Sequence, residues 1–99
     1  MASKKFDGII EAVRYSADGN IDLVRVYERR GAVWSDRVLL GRKILAKQLI
    51  NGKRFVTGER KSLLGGVFET GSTIQETKGT IITAGQTTTR DLLTGVPVF

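Results

Sequence analysis

Apolar and polar residues alternate along most of this chain, and glycine-containing turns cut the alternation into short strands. Phe6 to Tyr15 is rich in β-branched and aromatic side chains, and Ile21 to Arg29 repeats that composition. Between them lies Ser16-Ala17-Asp18-Gly19-Asn20, where Asp-Gly suits a type I turn closing on a left-handed glycine. A hairpin is predicted there. In its second strand Asp22, Val24, Val26 and Glu28 share one face, and the apolar centre of that set marks it as the core side. Ile21, Leu23, Arg25, Tyr27 and Arg29 share the other face, which mixes Arg with Tyr and reads as half exposed. Arg30-Gly31 is a second turn, and a strand from about Ala32 to Leu40 completes a three-stranded meander.

Arg42 to Asn51 breaks the alternation. Its Lys, Leu, Ala and Gln residues favour a helix, with Ile44, Leu45 and Leu49 on one face and Arg42, Lys43 and Lys47 away from it. Gly41 serves as N-cap and Gly52 as the C′ glycine. Asn51-Gly52 is also a strong hairpin turn, but Ile44 to Ile50 does not alternate, so the helix is favoured.

Strands resume at Lys53 and run to Gly58 or Arg60. Leu63-Leu64-Gly65-Gly66 reads as a kinked connector or bulge. Val67 to Gln75 is a strand with Phe68 and Ile74 on one face, and Lys78-Gly79 turns into a last strand, Thr80 to Ala84. The threonines from Thr70 onward alternate with Ile, Val and Phe, which is β-propensity rather than a glycosylated stalk. In the apolar tail, residues 86–99, Thr88 and Asp91 are expected to start one helical turn holding Leu92 and Leu93. Val96, Val98 and Phe99 are expected to dock on the barrel or on another subunit.

Three strands, a helix, then two or three strands predict a mainly β fold: a small antiparallel β-barrel of five to six strands with one short helix near 42–51. Its order is OB-like or SH3-like. Ninety-nine residues make one domain, 1–99, and 40% hydrophobic content supports a modest core. No sequence motif identifies a family.

Composition removes most chemistry. Without cysteine there are no disulfides, thiolate metal sites or cysteine nucleophiles, and without histidine the usual base and metal ligand is missing. No enzyme, no cofactor and no metal is the reading. Gly52, Gly58 and Gly65-Gly66 lack the rest of a phosphate-loop or dinucleotide fingerprint. The basic start Met1-Ala2-Ser3-Lys4-Lys5 leads into Phe6-Asp7-Gly8 without an apolar run, and no stretch approaches the roughly 20 apolar residues of a span. A cytoplasmic protein without a membrane partner is expected.

Charge changes the picture most. Between Asp36 and Lys61 stand eight Lys or Arg against two acids, a net of +6 equal to that of the whole chain. A clustered basic field suits an anionic partner, nucleic acid first among them. The candidate binding residues are Arg25, Tyr27, Trp34, Arg37, Arg42, Lys43, Lys47, Lys53, Arg54, Arg60 and Lys61. Lys43, Lys47, Lys53, Arg54, Arg60 and Lys61 are assigned to phosphates, and neutralising about six would give a salt slope of roughly −4 for a single strand. Tyr27, flanked by Arg25 and Arg29, and Trp34 are assigned to base stacking. The blander reading makes these residues a solvated helix face and strand exteriors, with Arg29-Arg30 and Lys53-Arg54 guarding sheet edges. Asp7, Glu11, Asp18, Asp22 and Glu28 are scattered and expected to pair loosely with arginines on neighbouring strands. The expected function is a non-enzymatic module binding nucleic acid or another polyanion without sequence specificity. The alternative is a structural or assembly domain that meets a protein partner or its own copy through a sheet edge and the tail.

Overall fold

The computed structural model describes residues 6–31, 33–60, 68–77, 79–86, 88 and 90–99. Its strands are β1 (Gly8–Tyr15), β2 (Ile21–Arg30), β3 (Val33–Gly41), β4 (Phe55–Arg60), β5 (Phe68–Thr77) and β6 (Thr80–Thr83), with one helix, α1 (Arg42–Ile50), before β4. The expected connector at Leu63 to Gly66 lies outside the described residues. All six strands form one sheet in the order β3-β2-β1-β4-β5-β6.

Four neighbouring pairs are antiparallel, but β1 and β4 run parallel, from Gly8 opposite Phe55 to Ile10 opposite Thr57. The connection explains this. After the meander the chain stands at the end where β1 finished, and α1 carries it back, so β4 starts beside the start of β1. The sheet is therefore mixed, and among the described residues no ladder joins its edges β3 and β6. The mainly β fold with one short helix is as expected, the all-antiparallel pairing is corrected at β1–β4, and no closed barrel is seen among the described residues.

Local chemistry builds the expected elements. In the first turn Gly19 takes φ +89°, its N–H donates to the Ser16 carbonyl at 2.9 Å, and Asp18 Oδ1 accepts the Asn20 N–H at 3.0 Å. Helix α1 buries Leu45, with Ala46 and Leu49 partly buried against the core. Ile44 does not join them: it is 53% exposed, because the inward stripe is Leu45, Ala46 and Leu49. Arg42, expected outside, turns inward toward the tail.

The main core packs Ile10, Val13, Val24, Val26, Phe55, Ile74 and Ile81 against Leu45 and the tail residues Leu93 and Val96. The opposite face is covered too, since Ile9, Ala12, Tyr27 and Val56 are all buried. A bulge causes this. Gly71 and Ser72 of β5 stand opposite the single residue Thr57, and Thr57 Oγ1 accepts the Ser72 N–H at 2.9 Å. Side chains cannot fit there: a Cβ on Gly71 would lie 2.5 Å from Thr57 Oγ1, and one on Gly58 would lie 2.7 Å from the Glu69 carbonyl. Beyond the bend the β4–β5 ladder curls over the second face, bringing Phe68 to 5.2 Å from the Tyr27 ring and 4.9 Å from Trp34. The same bulge reverses the alternation, so Phe68 and Ile74, expected on one face, point to opposite ones.

Among its described residues the tail forms no helical turn. Leu92 pairs with β6, taking the Thr83 N–H and donating to Ile81, each at 3.0 Å. The chain then crosses to β1, where the Val13 N–H donates to Pro97 and the Phe99 N–H to Val13, each at 2.9 Å. The tail thus takes the place beside β1 that β4 leaves after Ile10. Of the two docking surfaces expected for it, it uses its own sheet.

Candidate functional site

Seven of the candidate basic residues fall into three groups with different surroundings. The first is structural. Asp91, its side chain 1% exposed, accepts from Arg42 Nε (2.6 Å) and the Ile21 N–H (2.9 Å) on one oxygen. Its other oxygen accepts from Arg42 Nη2 (3.1 Å) and the Ile81 N–H (2.9 Å). Arg42 Nη2 also donates to the Gly79 carbonyl. Burial alone would raise the Asp91 carboxyl, but Arg42 and the two backbone N–H groups outweigh it and hold the group below its ordinary value. Arg42, assigned to an anionic partner on sequence, is committed to this clip.

The second group surrounds Glu11. The β1–β2 register slips between Ile10 and Ala12, and Glu11 is the extra residue. Its side chain, 9% exposed, reaches the second face, where Arg25 Nε lies 2.9 Å and Arg37 Nε 2.5 Å from Oε1. The two ion pairs engage both Glu11 Oε1 and Arg25 Nε, and the Tyr27 hydroxyl bonds to the same carboxylate. The charge of Glu11 raises the Arg37 guanidinium. Beside them a cavity of about 450 Å³ opens in the fork where β1 exchanges β4 for the tail, walled by Thr57 to Glu59, Glu69 to Gly71 and Gly95 to Pro97.

The third group is exposed. Lys43 and Lys47 stand one turn apart on the outer side of α1, and Lys53 and Arg54 follow in the loop to β4. Among the described residues none of the four side chains makes an ion pair. Asp7 Oδ2 accepts the Arg54 backbone N–H at 2.8 Å.

The aromatic candidates fare differently from expectation. Tyr27 is 1% exposed, beneath Phe68, Arg37 (5.8 Å from its centroid) and Arg60 (5.6 Å), so its ring offers no face for stacking. Burial pushes its phenol up, and the charge of Glu11 adds to this. Trp34 is half-buried, with Phe68 at its edge and Arg29 5.6 Å from its centroid. Lys61 lies outside the described residues.

Sequence reasoning passed over the two carboxylates that organise everything else. Glu11 carried a signal, since it interrupts the apolar run Ile9-Ile10 and Ala12-Val13. Asp91 carried none that names Arg42, 49 residues away. Of the scattered acids, Asp22 does pair loosely, with Arg14 at 3.1 Å on an exposed strand. Among the described residues no helix is long and apolar enough to cross a membrane, and no cluster of three or more acids is arranged to hold a metal ion. Fold and site together define a small open β-sheet domain with one crossover helix. No known protein family, curated protein or solved structure matches this chain.

Proposed function

We propose that this chain is a non-enzymatic module that binds a polyanion, nucleic acid first among them, without reading its sequence. Lys43, Lys47, Lys53 and Arg54 form its phosphate-facing surface. The observation that carries this reading is their exposure without acidic partners, inside a run from Arg37 to Gly58 that contains no Asp or Glu. Two lysines at i and i+4 repel by a few tenths of a kcal/mol when unpaired, and an anion relieves that repulsion. Arg25, Arg37 and Arg42 are already engaged by Glu11 or Asp91, so the contact is smaller than composition suggests. Four phosphates on a single strand give a salt slope of about −3. Fluorescence anisotropy with labelled single-stranded and duplex oligonucleotides, at low and near-physiological salt, tests it. Micromolar binding with that slope supports the module, and no binding at low salt removes it.

A second reading rests on β3. The β6 edge is bridged by Leu92, whereas among the described residues nothing pairs with the outer edge of β3, where Val33 is 64% and Leu39 56% exposed. Such an edge suits strand addition by a protein partner. Because the tail is consumed within its own sheet, this assembly reading narrows to β3. Replacing Leu39 with Lys should then abolish any self-association seen by analytical ultracentrifugation.

A further inference from the structure

The turn that ends α1 carries a pair of residues with a chemistry of its own. Asn51 and Gly52 close the helix: the Gly52 N–H donates to the Leu49 carbonyl at 3.1 Å and the Lys53 N–H to the Gln48 carbonyl at 3.0 Å, with Gly52 at φ +91°. Both residues are exposed, and nothing lies within 4 Å of the place a Cβ would take on Gly52. An asparagine followed by glycine is chemically labile. The next backbone nitrogen can reach the side-chain amide carbon, and no side chain on that residue hinders it. In the closed turn that N–H is held by the Leu49 carbonyl. Helix ends open and reclose at little cost in free energy, which frees it. Asn20, the other asparagine of the chain, has different surroundings. The residue after it is the β-branched Ile21, which is buried, and the Ile21 N–H donates to Asp91 at 2.9 Å.

We propose that Asn51 is a site of spontaneous deamidation, and that the carboxylate formed there weakens the polyanion surface. The Gly52 nitrogen, giving up its proton to hydroxide, bonds to the Asn51 side-chain amide carbon, and the amide group leaves as ammonia. Water then opens the cyclic imide at one of its two carbonyls. The product is aspartate or, with the main chain rerouted through the side-chain carbon, isoaspartate. Overall one water is consumed, one ammonium is released and the chain gains one negative charge. Lys47, Lys53 and Arg54 lie close to Asn51 in the chain, all exposed, and favour the anionic species on this path. The new charge falls inside the run from Arg37 to Gly58 that holds no acid. It lies one helical turn from Lys47, close enough to pair with it. It also sits at the helix C-terminus, where a negative charge opposes the dipole and loosens the turn. The chemistry is independent of the polyanion reading, and its consequence rests on that reading.

The test incubates the intact protein in warm, mildly alkaline buffer and follows it by intact mass and peptide mapping, beside the free peptide Leu49–Arg54. Conversion at Asn51 is expected, slower than in the peptide because the closed turn must open first, with Asn20 unchanged. Asn51→Gln keeps the amide but needs a larger ring, and should show no conversion at that position. Asn51→Asp reads the consequence by fluorescence anisotropy on a labelled single strand. It should keep about three of the four phosphate contacts, so that its salt slope falls from about −3 to about −2 and its affinity at low salt drops by about tenfold. An Asn51 that stays intact while the peptide converts fully overturns the proposal, as does equally fast conversion at Asn20. So does an Asn51→Asp protein whose affinity and slope match those of the native protein. If the native protein binds no oligonucleotide, the polyanion reading fails and takes the consequence with it, while the masses decide the chemistry on their own.

Discussion

Asp91 and Glu11 are both buried carboxylates that face arginine, yet the fold treats them in opposite ways. Asp91 has one Arg partner and two backbone donors, four hydrogen bonds between 2.6 and 3.1 Å, with both oxygens saturated. Glu11 has two Arg partners at 2.5 and 2.9 Å on one oxygen and the Tyr27 hydroxyl as a third neighbour. The first ties β2, β6, α1 and the tail together. The second sits on a bulge beside a cavity. A carboxylate whose hydrogen-bonding capacity is fully used within the chain is holding the fold. One that gathers side chains only from the adjacent strands β2 and β3 orders its own neighbourhood.

Changing Asp91 should have the largest effect. Asp91→Ala leaves Arg42 and two backbone N–H groups without their acceptor, costing about 3 kcal/mol. For a domain of this size that lowers the melting temperature by more than about 10 °C, measurable by circular dichroism. A loss as small as that of a surface pair would contradict the structural role. The acid limb follows from the same group. Its folded pKa lies below the ordinary value, so its contribution is fully present above the unfolded carboxylate pKa of about 3.9 and is lost as pH falls through the depressed value. Urea midpoints measured on the acid side should fall in the native protein and fall less steeply in Asp91→Asn.

Glu11→Gln should cost less, about 1 kcal/mol, because Arg25 and Arg37 remain partly hydrated at 39% and 60% side-chain exposure. A cost equal to that of Asp91→Ala would erase the distinction between the two sites. Smallest of all is Arg14→Ala, which breaks an ion pair about half exposed on both sides and should change stability by no more than about 0.5 kcal/mol in thermal unfolding.

Much of the fold was legible in the sequence. The Asp18-Gly19 turn, the meander, α1 ending at Gly52 and the later strands all follow from propensity and glycine placement, which act locally. What was hidden depends on contacts distant in the chain. The parallel entry of β4 depends on where α1 deposits the chain. The bulges at Glu11 and at Gly71-Ser72 reverse the side-chain alternation on which face assignments rest, and so Phe68 landed on Tyr27 rather than beside Ile74. Tyr27 then reads as half exposed on its own strand but is sealed by a residue from β5. The basic segment illustrates the same limit, since charge counts along the chain say nothing of which arginines are neutralised in space.

The most direct measurement compares two charge-reduced proteins in oligonucleotide binding across a salt series. One replaces Lys43, Lys47, Lys53 and Arg54 with Gln, and the other replaces Arg25 and Arg37. If the helix and its following loop are the polyanion surface, the first loses both affinity and salt dependence, while the second keeps the slope of about −3. Equal losses in both proteins, or a larger loss in the second, would contradict the account.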